Sequence, residues 1–228
     1  MDRNKIFGII MDIINLFKES QPKFETILPF SKKKVLFTAF KVKDAKKLSL
    51  ILSEENKKLS LIALYECVKD NCDLKNIHEL CLADAEYLFL QIRSKSVDEL
   101  INVIVNGEKN QININDIETK NNIQSVNIPI GDSVTIVLET PLLGELIKQD
   151  SFSDESYSKT CIKSIIIGGQ VFHLDKFINE KCKEIIDNLP LSTVKQINNF
   201  VKTEPRLWFS IKKENTESEV SGFLSFFI

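Results

Sequence analysis

The chain has 228 residues, 43% hydrophobic and 27% charged, which is enough apolar content to bury a core and too much for a disordered tail. Its 30 basic and 32 acidic residues leave a net charge of −2, which argues against a protein whose main task is to neutralise phosphates. Five scattered cysteines (Cys67, Cys72, Cys81, Cys161 and Cys182) include no C-x-x-C pair, and the only histidines are His78 and His173. That set indicates buried, reduced thiols rather than a disulfide framework. No segment approaches the roughly 18 to 20 apolar residues of a membrane span. The opening "MDRNKIFGIIMDIINLF" is interrupted by charges and has no small-residue cleavage site, so an intracellular, soluble chain is expected.

In chain order, residues 4–18 place Ile6, Ile9, Ile10, Ile13, Ile14 and Phe17 at helical spacing, which predicts an amphipathic helix. "KFETILPF" and "KVLFTAFKV" alternate around the polar "SKKK", predicting a β-hairpin over about 23–41. From Asp44 the period returns to 3.6 and predicts two helices, "DAKKLSLILSEE" and "KKLSLIALYECVKDNC". "DAEYLFLQIRSKSVDE" then predicts a buried helix over 84–96 that carries Leu88, Phe89 and Ile92 inward, with Asp84 as N-cap. Two hairpins follow, one turning at Asn106-Gly107 and one at Gly131-Asp132. Pro141 is placed to start a helix over "PLLGELIKQD". The polar "DSFSDES", about 149–156, is the candidate boundary. Beyond it, helices are predicted at about 157–166, 174–188 and 192–203, with "RLWFSIKKE" and "SGFLSFFI" as strand-like ends. The fold class is therefore α+β, mixed helices with antiparallel β-hairpins and a helical C-terminal half. Its organisation is an N-terminal helix (1–20), an α+β region (21–150) and a mainly helical region (151–228).

Catalytic constellations are thin. Gly168-Gly169 follows "SIII" but lacks both phosphate-loop patterns, and reads as a turn needing positive φ. His173 stands two residues before Asp175 without a recognisable nucleophile. His78 with Cys72 and Cys81 lacks the paired spacing of a zinc site. The runs Lys32-Lys33-Lys34 and Lys46-Lys47 read as solvated faces rather than a nucleic-acid surface. No catalytic, cofactor or metal residue is assigned, and an enzyme is not expected.

A set of segments carries a resemblance. "AEYLFLQIRSKSVDE" closely resembles a helix of the baseplate hub subunit family of T-even-type, contractile-tailed phages. In the same order, "FETILPFSKKKVLFTAFKVKDAKKLSLILSE" is similar to that family's leading hairpin and first helix, and "ALYECVKDNC" to the helix ending in Asn-Cys. "CIKSIIIGGQVF", "IIDNLPLSTVKQINNFVKTEPRL" and the terminal "SGFLSFFI" resemble segments of its second half. The match runs over about 23–228. Asp98 stands where the family has Gly, and Glu204-Pro205 where it has Met-Pro. The Cys pairs that many relatives carry are missing from "NGEKNQ" and "KKENTESEV", so no metal site is implied.

The resemblance implies a non-enzymatic structural or assembly (chaperone-like) protein of the tail baseplate hub. It would act by binding other hub or tail proteins, not nucleic acid or membrane, in the host cytoplasm during assembly or in the virion baseplate. The alternatives are a nucleic-acid-associated phage regulator and an uncharacterised enzyme using His173. Candidate partner contacts are Ile6, Ile10, Ile13 and Phe17 on the first helix, Tyr87, Arg93 and Lys95 in the motif, and Trp208, Phe226 and Phe227 near the C-terminus.

Overall fold

Period-two alternation opens the body as the sequence indicates. In the computed structural model, which describes residues 3–52, 56–105, 107–122, 124–174, 184–213 and 216–221, strands β1 (Phe24–Ile27) and β2 (Lys34–Phe37) pair antiparallel with Phe24 opposite Phe37. Helix α1 (Arg3–Glu19) precedes them. The hairpin is followed by α2 (Val42–Leu52) and α3 (Lys57–Asn71). Asn56 starts α3 by accepting from the N–H groups of Lys58 and Leu59 at 3.0 and 3.2 Å, two donors the first turn leaves open.

Helix α4 (Leu82–Ser94) contains the motif and is the middle of the molecule. Leu88, Phe89 and Ile92 enter a core with Leu28, Val35 and Phe37 of the hairpin region and Leu61, Leu64, Cys67 and Val68 of α3. Leu143 and Leu146 of α5 (Leu143–Lys148) close it. Leu90, on another face of α4, joins a different core with Ile101, Val103, Ile112, Leu207 and Val220. Those residues come from the hairpin β3 (Leu100–Val105) and β4 (Glu108–Asn113) and from β10 (Arg206–Lys213) and β11 (Thr216–Ser221). Strand β5 (Glu118–Lys120) pairs with β10, so its sheet runs β11-β10-β5.

A four-stranded antiparallel sheet, β6-β7-β8-β9, carries the remaining core: β6 (Ser125–Ile130), β7 (Val134–Glu139), β8 (Ile162–Ile167) and β9 (Gln170–His173). Ile128, Ile136, Leu138 and Ile165 pack there against Cys161 of α6 (Asp154–Cys161) and Ile197 and Phe200 of α7 (Leu191–Thr203). The architecture is α+β, built of helices and small antiparallel sheets.

Two segments differ from the sequence reading. The helix predicted over 157–166 ends at Cys161, and the β-branched run from Ile162 becomes β8, paired along β7. Cross-strand pairing and a two-residue turn at Gly168 and Gly169, both at positive φ, decide this against helical periodicity. "DSFSDES" forms the start of α6: the Ser153 hydroxyl accepts from the N–H of Ser156 at 3.1 Å, and the Ser156 hydroxyl accepts from the N–H of Ser153 at 2.9 Å. Strand β7 lies before that stretch and β8 after it, so one sheet is made from both sides. The helix predicted over 174–188 falls mostly, and "GFLSFFI" wholly, outside the described residues.

Candidate functional site

The motif helix was expected to be capped by Asp84. Its N-cap is Cys81 instead, and Asp84, fully buried in the first turn, turns its carboxylate to another segment. The N–H of Phe30 donates to its Oδ1 at 2.9 Å and the N–H of Ser31 to its Oδ2 at 2.8 Å. Those amides belong to the "LPFS" turn between β1 and β2, which has no regular ladder to satisfy them. At the far end of the motif, the N–H of Phe40 donates to the Ser96 hydroxyl at 2.7 Å, and that hydroxyl donates to Ile92 O at 2.5 Å. Asp84 and Ser96, twelve residues apart, therefore clamp the hairpin at its turn and its exit.

A second clamp holds the same hairpin from α3. Buried Asn71 donates through Nδ2 to Asp44 Oδ2 at 3.0 Å and to Cys67 O at 2.8 Å, while its carbonyl accepts from the N–H of Thr38 at 2.8 Å. Asp73 then pairs reciprocally with Leu36: its N–H donates to Leu36 O and its Oδ1 accepts from the N–H of Leu36, each at 3.0 Å. The "LPFS", "DNCD" and "DAEYLF" segments, distant in sequence, form one hydrogen-bonded joint.

The partner-contact residues fall into different surroundings. Tyr87 is half-buried, flanked by two cores. Arg93 is half-buried, and its Nη1 reaches Asp98 O at 3.3 Å and Leu100 O at 3.5 Å, tying the loop after α4 back to the helix. Burial lowers its pKa from the ordinary value, opposed by the charge of Asp98. Lys95 is exposed, paired with Glu99 at 3.1 Å and 5.9 Å from the centroid of Phe24. Beyond it Val97 and Leu100 are exposed apolar side chains. Trp208 is half-buried on β10 with Lys120 Nζ 4.5 Å from its ring centroid. Ile6, Ile10, Ile13 and Phe17 stand exposed on α1, whereas Phe226 and Phe227 lie outside the described residues. The structure thus brings Arg93 and Lys95 together at the end of α4, and leaves Trp208 and α1 elsewhere.

Groups weighed for chemistry do not gather. Among the described residues, no set of three His, Cys, Asp or Glu side chains is placed to hold a metal ion. His173 is exposed at the end of β9, and Asp175 lies outside the described residues. Burial pushes Cys67 and Cys81 up to about 12 and Cys72 up to about 11, so the thiolate needed for nucleophilic or redox chemistry is suppressed. One lysine of each basic run is paired: Lys34 with Glu25 at 2.7 Å, and Lys47 with Glu66.

One buried polar cluster went unnoticed in the sequence. Glu204 follows α7 and is only 4% exposed; Cys161 Sγ donates to its Oε1 at 3.5 Å, and the Tyr157 hydroxyl bonds the same carboxyl group. Desolvation raises the Glu204 carboxyl to about 7, against the opposing pull of the two donors and of Lys163. The same burial, with the carboxyl close by, raises both the Tyr157 hydroxyl and the Cys161 thiol. The available signal was Glu204 itself, a charged residue where the related pattern has Met.

The leading hairpin, the end of α3 and the motif helix, three of the segments that carried the resemblance, thus meet at one joint. A family model described as T4 bacteriophage base plate protein matches residues 21–228. The chain belongs to this family. No curated protein and no solved structure matches it. The family match makes it a baseplate protein of the phage tail, a structural role among other tail proteins, and α1 lies before the matched residues. Among the described residues, no helix is long and apolar enough to cross a membrane.

Proposed function

We propose that this baseplate protein is a structural or assembly component of the tail hub, acting without catalysis by binding other hub or tail proteins while the baseplate is built in the host cytoplasm. The observation that carries this is the large apolar surface on α1, attached to a body that the family shares: such a surface is a means of protein contact. The exposed end of the motif, with Lys95, Val97 and Leu100, is the proposed contact of the body with a partner. Trp208 is a second candidate, separate from that end, half-buried on β10 under Lys120.

The test is an amber mutant of the gene combined with mass spectrometry of purified wild-type virions. Loss of baseplates with the protein absent from virions identifies an assembly factor; the same loss with the protein present identifies a structural component. Normal baseplates in the amber mutant would refute the proposal. Salt-sensitive retention on DNA would instead favour the nucleic-acid reading.

A further inference from the structure

Helix α1 carries nine large apolar side chains, and every one is exposed, Phe7 and Phe17 by 67% and 68%. None enters the three cores of the body. Together they present on the order of 900 Å² of apolar surface, about what one partner contributes to a standard-size interface and more than the largest patch of a typical monomer. A helix in water with this surface has a cover.

The pattern says what kind. Ile6, Ile9, Ile13 and Leu16 recur at spacings of three and four, as a and d positions of a heptad repeat. Phe7, Ile10, Ile14 and Phe17 repeat the same spacing one residue on, forming a second seam beside the first. At 100° per residue the two seams span roughly half the helix circumference. A two-stranded pair needs one narrow a/d seam, whereas a helix in a three-stranded bundle touches two neighbours and needs this greater width. Isoleucine at a and d also favours three or four strands over two. By sequence position the opposite strip carries Lys5, Met11, Asp12, Asn15, Lys18 and Glu19. A strip of mixed charge is not the Lys- and Arg-rich face of a helix lying on an anionic lipid surface, and it suits the outside of a bundle.

We infer that α1 is covered by the α1 helices of two further copies of this chain, packed as a three-helix bundle that gathers three bodies. This rests on the reading of α1 as a protein-binding surface and goes beyond it by naming the occupant. Seventeen residues make a bundle only about 25 Å long, so the association comes from the breadth of the apolar face and is concentration-dependent.

The experiment is sedimentation equilibrium of the full chain over about two decades of concentration, on wild type, Ile13→Asp and the outer-strip variant Asn15→Asp. Wild type and Asn15→Asp are expected at three times the 26.1 kDa chain mass, and Ile13→Asp at the mass of one chain. Thermal unfolding of the body should be the same in both variants, and two differently tagged wild-type copies should copurify where a tagged Ile13→Asp copy does not. A wild-type mass of one or two chains, or a trimer that survives Ile13→Asp, overturns the inference. Monomers that float with anionic vesicles, or that bind a purified baseplate protein through α1, overturn it in favour of those occupants. None of these outcomes alters the amber-mutant result, so the two readings fail separately.

Discussion

Replacing Glu204 by Gln should change how stability depends on pH. Its carboxyl has an ordinary value of 4.5 and is raised to about 7 in the folded protein, first by desolvation. Below 4.5 both folded and unfolded chains hold the proton, and the group adds no penalty. As pH rises, the unfolded chain releases its proton first, so the folded state loses about 1.4 kcal/mol per pH unit until the folded carboxyl also ionises near 7. The full loss across this window is about 3 kcal/mol, a large share of the 5–15 kcal/mol that holds a typical domain together. Glutamine cannot titrate, and its amide oxygen can still accept from the Tyr157 hydroxyl; whatever its own N–H donors cost is independent of pH and shifts the whole curve without changing its slope. Urea unfolding of both proteins at several pH values between about 4 and 8 gives the difference directly, with other titrating groups cancelling. The Gln variant should gain about 3 kcal/mol on wild type from the acid to the alkaline end of the range. A difference that stays constant with pH would show that Glu204 is ionised and solvated, and would refute the reasoning.

Other outcomes follow from the joint and the packing. Asp84→Ala should cost about 3 kcal/mol in urea unfolding, because two N–H groups lose a charged acceptor in a buried site; the amides of Phe30 and Ser31 should then lose hydrogen-exchange protection before those of α7. Gly144→Ala should cost about 1–3 kcal/mol in the same measurement, since a Cβ there would meet His78 Cβ at 2.8 Å and His78 O at 3.0 Å. Cys67 and Cys81, raised to about 12 by burial, should stay unmodified by a thiol reagent at neutral pH until the chain is unfolded, as read site by site by mass spectrometry.

Local physics was legible wherever one residue's neighbours in sequence are also its neighbours in space. Apolar periodicity placed α1, α3 and α4. Period two with Gly131 placed one hairpin turn, and the Gly168-Gly169 pair was legible as a turn but not as a hairpin, because positive φ is a property of the residue itself and strand pairing is not. Resemblance of ordered segments reached the family, which the family match over 21–228 bears out. Distance in sequence defeated the same reasoning. The helix drawn through Ile162 became β8 because its partner β7 comes more than twenty residues earlier. Asp84 was assigned to its own helix because a carboxylate in a first turn usually serves the nearest N–H groups. Only folding brings Phe30 and Ser31, more than fifty residues away, within 3 Å of it. Nor does any short window show that Glu204, Tyr157 and Cys161 share one dry pocket. The sequence by itself determined the elements and the family, since propensity, turn chemistry and pattern act over a few residues. The tertiary structure alone decided which polar groups are desolvated together and which apolar face is left uncovered, because burial belongs to the packed chain and to no segment of it.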